Sequence, residues 1–412
     1  MFSKLIIIFI LAPLINFSSV QMTNLNHGIF RVLYRMGRLA AFNTVGYTGS
    51  ERKYFLINLE RNKLQKQFSI YDEFFCDPKG PGRRSDIVPL SVHQLRPGDI
   101  DIIGAVGDSL TAGNGVMATN IFQLSVENKG MTSVAGGQGT WRQFLTIPNI
   151  LKVFNPNLYG YSSGDTLSFL PASKFNVAET NAKSHDTPEQ AITLLKRMRS
   201  DRRVDMEGHW KMIFYFIGSN DFCSEMCHLE YPSSIIEKHR RSIIKTLRIL
   251  RDNFPRTMVN VIASPSLEFL LHFRGTPPIC RLAHKFECFC LLSLLQKPFQ
   301  KQYIRIMDIW RKVEEEVVNR EEFQNKPDFT VNYQPFTDQI FIPTTHSGKT
   351  DFTYMSVDCF HISQKGYARA TNALWNNMME PFDNKTRTWK REFQEFKCPT
   401  EAQPFLTTKL NS

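Results

Sequence analysis

The chain has 412 residues, 42% of them apolar and 22% charged, with a formal net charge of +11. This composition excludes a disordered, collagen-like or low-complexity protein and leaves a globular chain able to bury an ordinary core. The positive excess admits an anionic partner, but its densest runs (194–203 and 237–251) place cations at helical spacing beside apolar residues and read as solvated helix faces; no nucleic-acid motif accompanies them.

Residues 1–20 combine an early cation, Lys4, an apolar run from Leu5 to Ile15 and the small residues Ser18 and Ser19, the pattern of a signal peptide. That run is short for a membrane span, no later stretch approaches the roughly 20 apolar residues a span needs, and the closing residues are polar. A secreted or extracellular protein with no transmembrane segment after the leader is expected. Residues 21–94 form an extension and lead-in that closes on the Pro/Gly-rich "CDPKGPGRRSD". The remainder, 95–412, reads as one catalytic-sized domain.

From there short apolar runs alternate with amphipathic patterns, the signature of βαβ units on a parallel sheet. Strands are predicted at 99–106, 210–218, 257–264 and 329–334. Helices are predicted over 186–200, with Pro188 and Glu189 in the first turn, over 233–254, with Ser234 and Glu237 as a capping box, and from Ser363 onward. Residues 267–299 are apolar but interrupted by proline and cysteine, which suits either a disulfide-stapled lid or a buried structural insertion.

Eight cysteines in an exported chain read first as disulfides, with zinc as the competing reading for the Cys223/Cys227 and Cys288/Cys290 pairs. Asn384-Lys385-Thr386 is a glycosylation sequon.

Three stretches carry chemistry. Gly107-Asp108-Ser109-Leu110 ends the first strand, where ligands sit in open α/β sheets. Such a tetrapeptide arises by chance in about one chain this long in a hundred at average usage. A serine nucleophile needs a base and the base needs an orienting group; Asp358-Cys359-Phe360-His361 offers both on one turn of backbone. Asp-x-x-His alone is common, so it counts only with the others. Gly218-Ser219-Asn220-Asp221 follows the second strand, and the Asn220 amide is a donor suited to a developing oxyanion. The glycine-rich 133–141 is a further source of backbone donors.

In this order "GDSL", a glycine turn, "GSND" and "DCFH" resemble the blocks of the SGNH/GDSL hydrolases. Longer stretches, among them "LSVHQLRPGDIDIIGAVGDSLTAGNG" and "DCFHISQKGYARATNALWNNMMEPF", are similar to the animal phospholipase B family. The resemblance covers most of residues 75–412. It implies an α/β/α, flavodoxin-like fold with a five-stranded parallel sheet. It also implies hydrolysis of glycerophospholipid and lysophospholipid acyl esters (phospholipase B, phospholipase A and lysophospholipase chemistry) without metal or cofactor. On this chain Ser109 would be the nucleophile, His361 the general base and Asp358 its orienter. The N–H groups of Ser109 and Gly137 and the Asn220 amide would form the oxyanion hole, Gly137 being taken over Gly136 on motif spacing. The expected partners are the phospholipid and, transiently, a membrane or micelle surface. Esterase action on retinyl, short-chain or carbohydrate esters, and an inactive lipid-binding protein on the same scaffold, are the alternatives. Membrane-bound relatives carry tandem copies and a C-terminal anchor, against one copy and no visible anchor here.

Overall fold

The computed structural model describes residues 28–412, so the expected leader lies outside the described residues. Its centre is a parallel sheet of four strands, β1 (Ile102–Gly107), β2 (Lys211–Phe216), β3 (Thr257–Ile262) and β4 (Phe329–Gln334), in chain order across the sheet. Register runs Gly107 to Phe216 and Tyr215 to Val261, so β1 and β2 end at the same rim. These strands are buried along nearly their whole length, which is why each reads as an apolar run.

Successive side chains point to opposite faces, and each face carries its own helices. Ile103, Ala105, Met212 and Phe214 pack with Ile147 and Leu151 of the helix Ile147–Phe154 and with Leu374 and Met378 of the helix Gln364–Met379. Ile102, Val106, Ile213 and Tyr215 pack against the helices Thr187–Ser200, Ser234–Asn253 and Gln300–Val318. The result is the three-layer α/β/α arrangement. The basic run of Ser234–Asn253 faces its neighbour, with Arg240 on Glu316 and Arg248 and Arg251 on Glu322.

Two expectations fail in detail. The sheet has four strands rather than five. Where the fifth would flank β1, the chain supplies two short pieces: Ile103 N–H donates to Tyr159 (2.9 Å), then Ala105 N–H to Phe175 (3.0 Å) and Val177 N–H to Ala105 (3.0 Å). Gly160, at φ +105°, turns the chain off the edge and residues 161–174 loop away before it returns, so no continuous ladder forms. The capping box at Ser234 and Glu237 is also absent, because Ser233 takes the cap position and the Ser234 hydroxyl donates to Tyr231 carbonyl instead. Ser363 does cap its helix, accepting from Gly366 N–H.

Residues 28–94 are not a loose extension. The helices Gly28–Val45 and Arg52–Glu60 strap the loops above the sheet rim. Tyr34 hydroxyl donates to Thr180 carbonyl, Arg38 to Glu127 and Thr180, and Lys63 Nζ to Met355 carbonyl. Four disulfides join Cys76 to Cys398, Cys223 to Cys288, Cys227 to Cys290 and Cys280 to Cys359. The zinc reading is thereby overturned: the cysteines of its two proposed pairs are cross-linked to one another, and a disulfide sulfur is not a thiolate ligand.

The 267–299 region is neither wholly buried nor free. Three of those disulfides tie it down, to the helix Ser219–Ser224, to the turn Met226–His228 that follows it and to the Asp358–His361 turn. Its inner side buries Cys280, His284, Cys288 and Leu291, while Ile279, Leu282, Phe286, Leu294 and Leu295 stand exposed on the outside. No helix among the described residues is long and apolar enough to cross a membrane.

Candidate active site

Ser109 opens a one-turn helix, Ser109–Ala112, directly off the end of β1. Asp108 caps it, its carboxylate accepting from Leu110 N–H (3.0 Å). A side chain at Gly107 would come within 2.4 Å of Phe216 carbonyl and 2.5 Å of Thr111 Oγ1, so only glycine lets the ends of β1 and β2 close beneath the serine. At the first helical position Ser109 N–H has no acceptor within the helix.

The other half of the site is one tight turn. Cys359 sits at φ +55°, a conformation held by its disulfide to Cys280 and by the bonds around it. The turn aims Asp358 back on itself: one carboxylate oxygen accepts from Phe360 N–H (3.0 Å) and His361 N–H (3.1 Å), the other from His361 Nδ1 (2.6 Å). His361 Nε2 then lies 2.9 Å from Ser109 Oγ. Asp358 is fully buried and Ser109 is 4% exposed, so the imidazole edge and the serine hydroxyl are the parts of this line that meet the outside. Burial by itself would raise Asp358, but the His361 charge and the three N–H donors outweigh it and hold the carboxyl below the ordinary carboxylate range. It therefore stays ionised and fixes the proton on Nδ1, leaving Nε2 as an acceptor.

Asn220, second residue of the helix Ser219–Ser224, reaches the same rim, one amide hydrogen donated to Ala182 carbonyl (2.9 Å) and the other left over. Gly137 does not join it. Its N–H donates to Ser162 carbonyl at 2.7 Å, and Gly136 N–H is likewise bonded to Thr132, so both of these donors are already engaged. The structure instead brings residues 179–182 to the rim. Glu179 N–H donates to Gly107 carbonyl just before the serine, Asn181 turns at φ +65°, and Ala182 takes the Asn220 amide. A left-handed asparagine in an irregular edge segment leaves no periodic trace; the short "ETNA" turn was the available signal.

Beside Ser109 and His361 an apolar pocket, partly open to solvent, is lined by Leu110, Val134, Ile262, Phe269, Phe336 and Leu374 among others. It reaches from the serine's helix to the stapled region, and its walls carry few polar groups.

Burial pushes Asp108 up to about 7. A carboxyl raised in the folded state holds a proton that the unfolded chain has released, so stability is intact below about pH 4 and declines as pH rises toward 7. Asp108→Asn is expected to abolish that decline. Its thermal midpoint, equal to or below that of the parent at pH 4, should exceed it at pH 8 by the equivalent of a few kcal/mol, since each pH unit separating the folded from the unfolded titration costs about 1.4 kcal/mol. Parallel melting curves for the two proteins would show no such divergence if Asp108 were ionised in the folded state at neutral pH.

A family model described as GDSL-like Lipase/Acylhydrolase matches residues 103–374. The chain is 34% identical over 345 residues to "Phospholipase B1, membrane-associated" of Rattus norvegicus, covering 82% of this chain and 23% of that protein. To the Homo sapiens protein of the same name it is 35% identical over 335 residues, covering 80% and 22%. The chain thus spans about a quarter of the length of the curated relatives it matches. Among solved structures it is similar to phospholipase A1 from Streptomyces albidoflavus NA297, at 15% identity and a TM-score of 0.35, covering 67% of this chain and 98% of that one.

Proposed function

The chain belongs to the GDSL-like lipase/acylhydrolase family, and on that premise we propose that it is a secreted serine esterase that hydrolyses the acyl ester bonds of glycerophospholipids and lysophospholipids. The observation that carries the reading is the hydrogen-bonded line Asp358, His361, Ser109 opening beside a pocket with apolar walls, the lining an acyl chain would need.

In the proposed reaction Ser109 Oγ attacks the ester carbonyl carbon as His361 Nε2 takes its proton. Asp358 holds the resulting imidazolium by its Nδ1–H. The carbonyl oxygen, now negative, is met by Ser109 N–H and by the second hydrogen of the Asn220 amide. His361 hands its proton to the departing glycerol oxygen, leaving the fatty acyl group on Ser109. Water, deprotonated by the same nitrogen, then attacks the acyl carbonyl carbon; the bond to Ser109 Oγ breaks, the fatty acid leaves and His361 returns the proton to Ser109 Oγ.

Secretion is supported by the four disulfides, which persist in oxidising compartments, and by the exposed Asn384 of the sequon, open to a glycan. Transient contact with a lipid surface falls to the outer side of the stapled region, where Leu282, Phe286, Leu294 and Leu295 are interleaved with Arg281, Lys285 and Lys297.

Fatty-acid release from phosphatidylcholine and lysophosphatidylcholine micelles, compared with hydrolysis of a soluble acetyl ester, tests the substrate class. A filled acyl cavity should favour the lipids in kcat/KM by at least about tenfold, the worth of roughly two buried methylene groups. Equal or better turnover of the acetyl ester would assign the site to small soluble esters. No turnover of either would leave a lipid-binding protein.

A further inference from the structure

The helix Pro278–Glu287 ends against the triad. Two covalent ties hold it there: Cys280 is bonded to Cys359 inside the Asp358–His361 turn, and Cys288, one residue past Glu287, is bonded to Cys223 on the helix that carries Asn220. This geometry places the Glu287 carboxyl, the Asp358 carboxyl and a ring nitrogen of His361 within 4.8 Å of one another. Glu287 Oε2 is sealed from solvent and finds no donor as a carboxylate.

Two ionised carboxylates in such contact repel, whereas one proton between them converts the repulsion into an O–H···O⁻ hydrogen bond. Asp358 already accepts three N–H donors and Glu287 accepts none at its buried oxygen, so the proton belongs to Glu287. Burial, followed by the Asp358 charge, accordingly pushes the Glu287 carboxyl well above its ordinary range.

We propose that Glu287 is a neutral carboxylic acid that donates a hydrogen bond to Asp358 and thereby sets the basicity of the Asp358–His361 pair, a positioning residue supplied to the triad by the disulfide-stapled region. The inference rests on the serine-hydrolase reading above. By sharing the Asp358 charge, Glu287 weakens the hold of that carboxylate on the His361 Nδ1 proton, so the imidazolium is less stabilised and His361 stays a free base to lower pH. Glu287 keeps its own proton throughout; the protons that move are those relayed by His361 Nε2.

The test is the pH dependence of Ser109 labelling by a fluorophosphonate, which needs no knowledge of the natural ester, in the full-length protein and its Glu287→Gln and Glu287→Leu variants. Lys63, Asp108, His284 and Tyr367 also face the Asp358–His361 pair, and they are common to all three proteins. Leucine removes the donor, and the midpoint of the acidic limb should rise by about half a pH unit or more. Glutamine restores a neutral N–H donor and should bring the midpoint back to that of the parent. The downfield proton resonance of His361 Nδ1–H should move in the leucine variant alone. A labelled parent with an unshifted leucine variant would overturn the role of Glu287, as would a glutamine variant that shifts like leucine. A folded parent that does not label would overturn the serine-hydrolase reading itself, and this inference with it.

Discussion

Replacing Ser109 by alanine is expected to lower kcat for ester hydrolysis by about a million-fold, the size of effect seen when a serine nucleophile is removed from a triad. The loss is large because every covalent step passes through Ser109 Oγ, and no neighbouring group stands in for it. Ser219, whose hydroxyl is buried and without a partner, lines the cavity, but its helix starts at the end of β2 and it makes no bond to His361. Stability should hardly change. Ser109 is the first residue of its helix, the cap is made by Asp108, and the side-chain bond lost is the one to His361. A thermal midpoint within the equivalent of about 0.5 kcal/mol of the parent is expected. Measuring turnover and melting together separates a chemical defect from unfolding. Appreciable turnover by the folded variant would show that Ser109 is not the nucleophile.

For Asp358→Asn the expected fall in kcat is about 10⁴-fold, with little change in KM. An asparagine amide at this buried position can present a hydrogen to Nδ1 where the carboxylate accepted one, which drives the imidazole proton to Nε2, pointing at Ser109. In that tautomer His361 cannot take the serine proton, and no buried charge remains to stabilise the imidazolium. Phe360 N–H and His361 N–H can still bond to the amide oxygen, so the turn should survive. The downfield Nδ1 proton resonance, present in the parent, should be missing in the variant. If kcat fell less than tenfold, the proton of the parent imidazole would not be held on Nδ1 by Asp358. The Asp358 and Glu287 substitutions then read the same network from its two ends, one removing the charge and the other its modulator.

Much of this architecture is legible in the amino-acid sequence. β1 to β4 are legible because strands covered on both faces are nearly uninterrupted apolar runs, and the helices Thr187–Ser200, Ser234–Asn253 and Gln364–Met379 because 3.6-residue spacing is local, although the cap of the second falls one residue earlier than expected. Ser109 and Asn220 were marked by glycines at strand exits, and Asp358 and His361 by a spacing that one turn of backbone closes. The misreadings have a common cause. Gly137 looked like an oxyanion donor because glycine-rich turns expose N–H groups, but whether such a group is free depends on its acceptor, here Ser162, 25 residues along. The expected fifth strand failed for a related reason, since pairing on the edge of β1 is decided by how the loop between residues 161 and 174 returns. Residues 28–94 looked featureless because their partners, Thr180, Glu127 and Met355, lie up to 292 residues away.

The amino-acid sequence by itself determined the layered α/β class and the strand positions, and it marked Ser109, His361 and Asp358 as candidates, because each depends on side-chain period or on residues a few positions apart. Only the tertiary structure decided the cysteine pairing, the strap of residues 28–94 over the site, the bonding of Gly137 N–H to Ser162, and the meeting of Glu287 with Asp358. Those are contacts between segments tens to hundreds of residues apart, set by how the packed layers bring their loops together and unmarked by any local pattern.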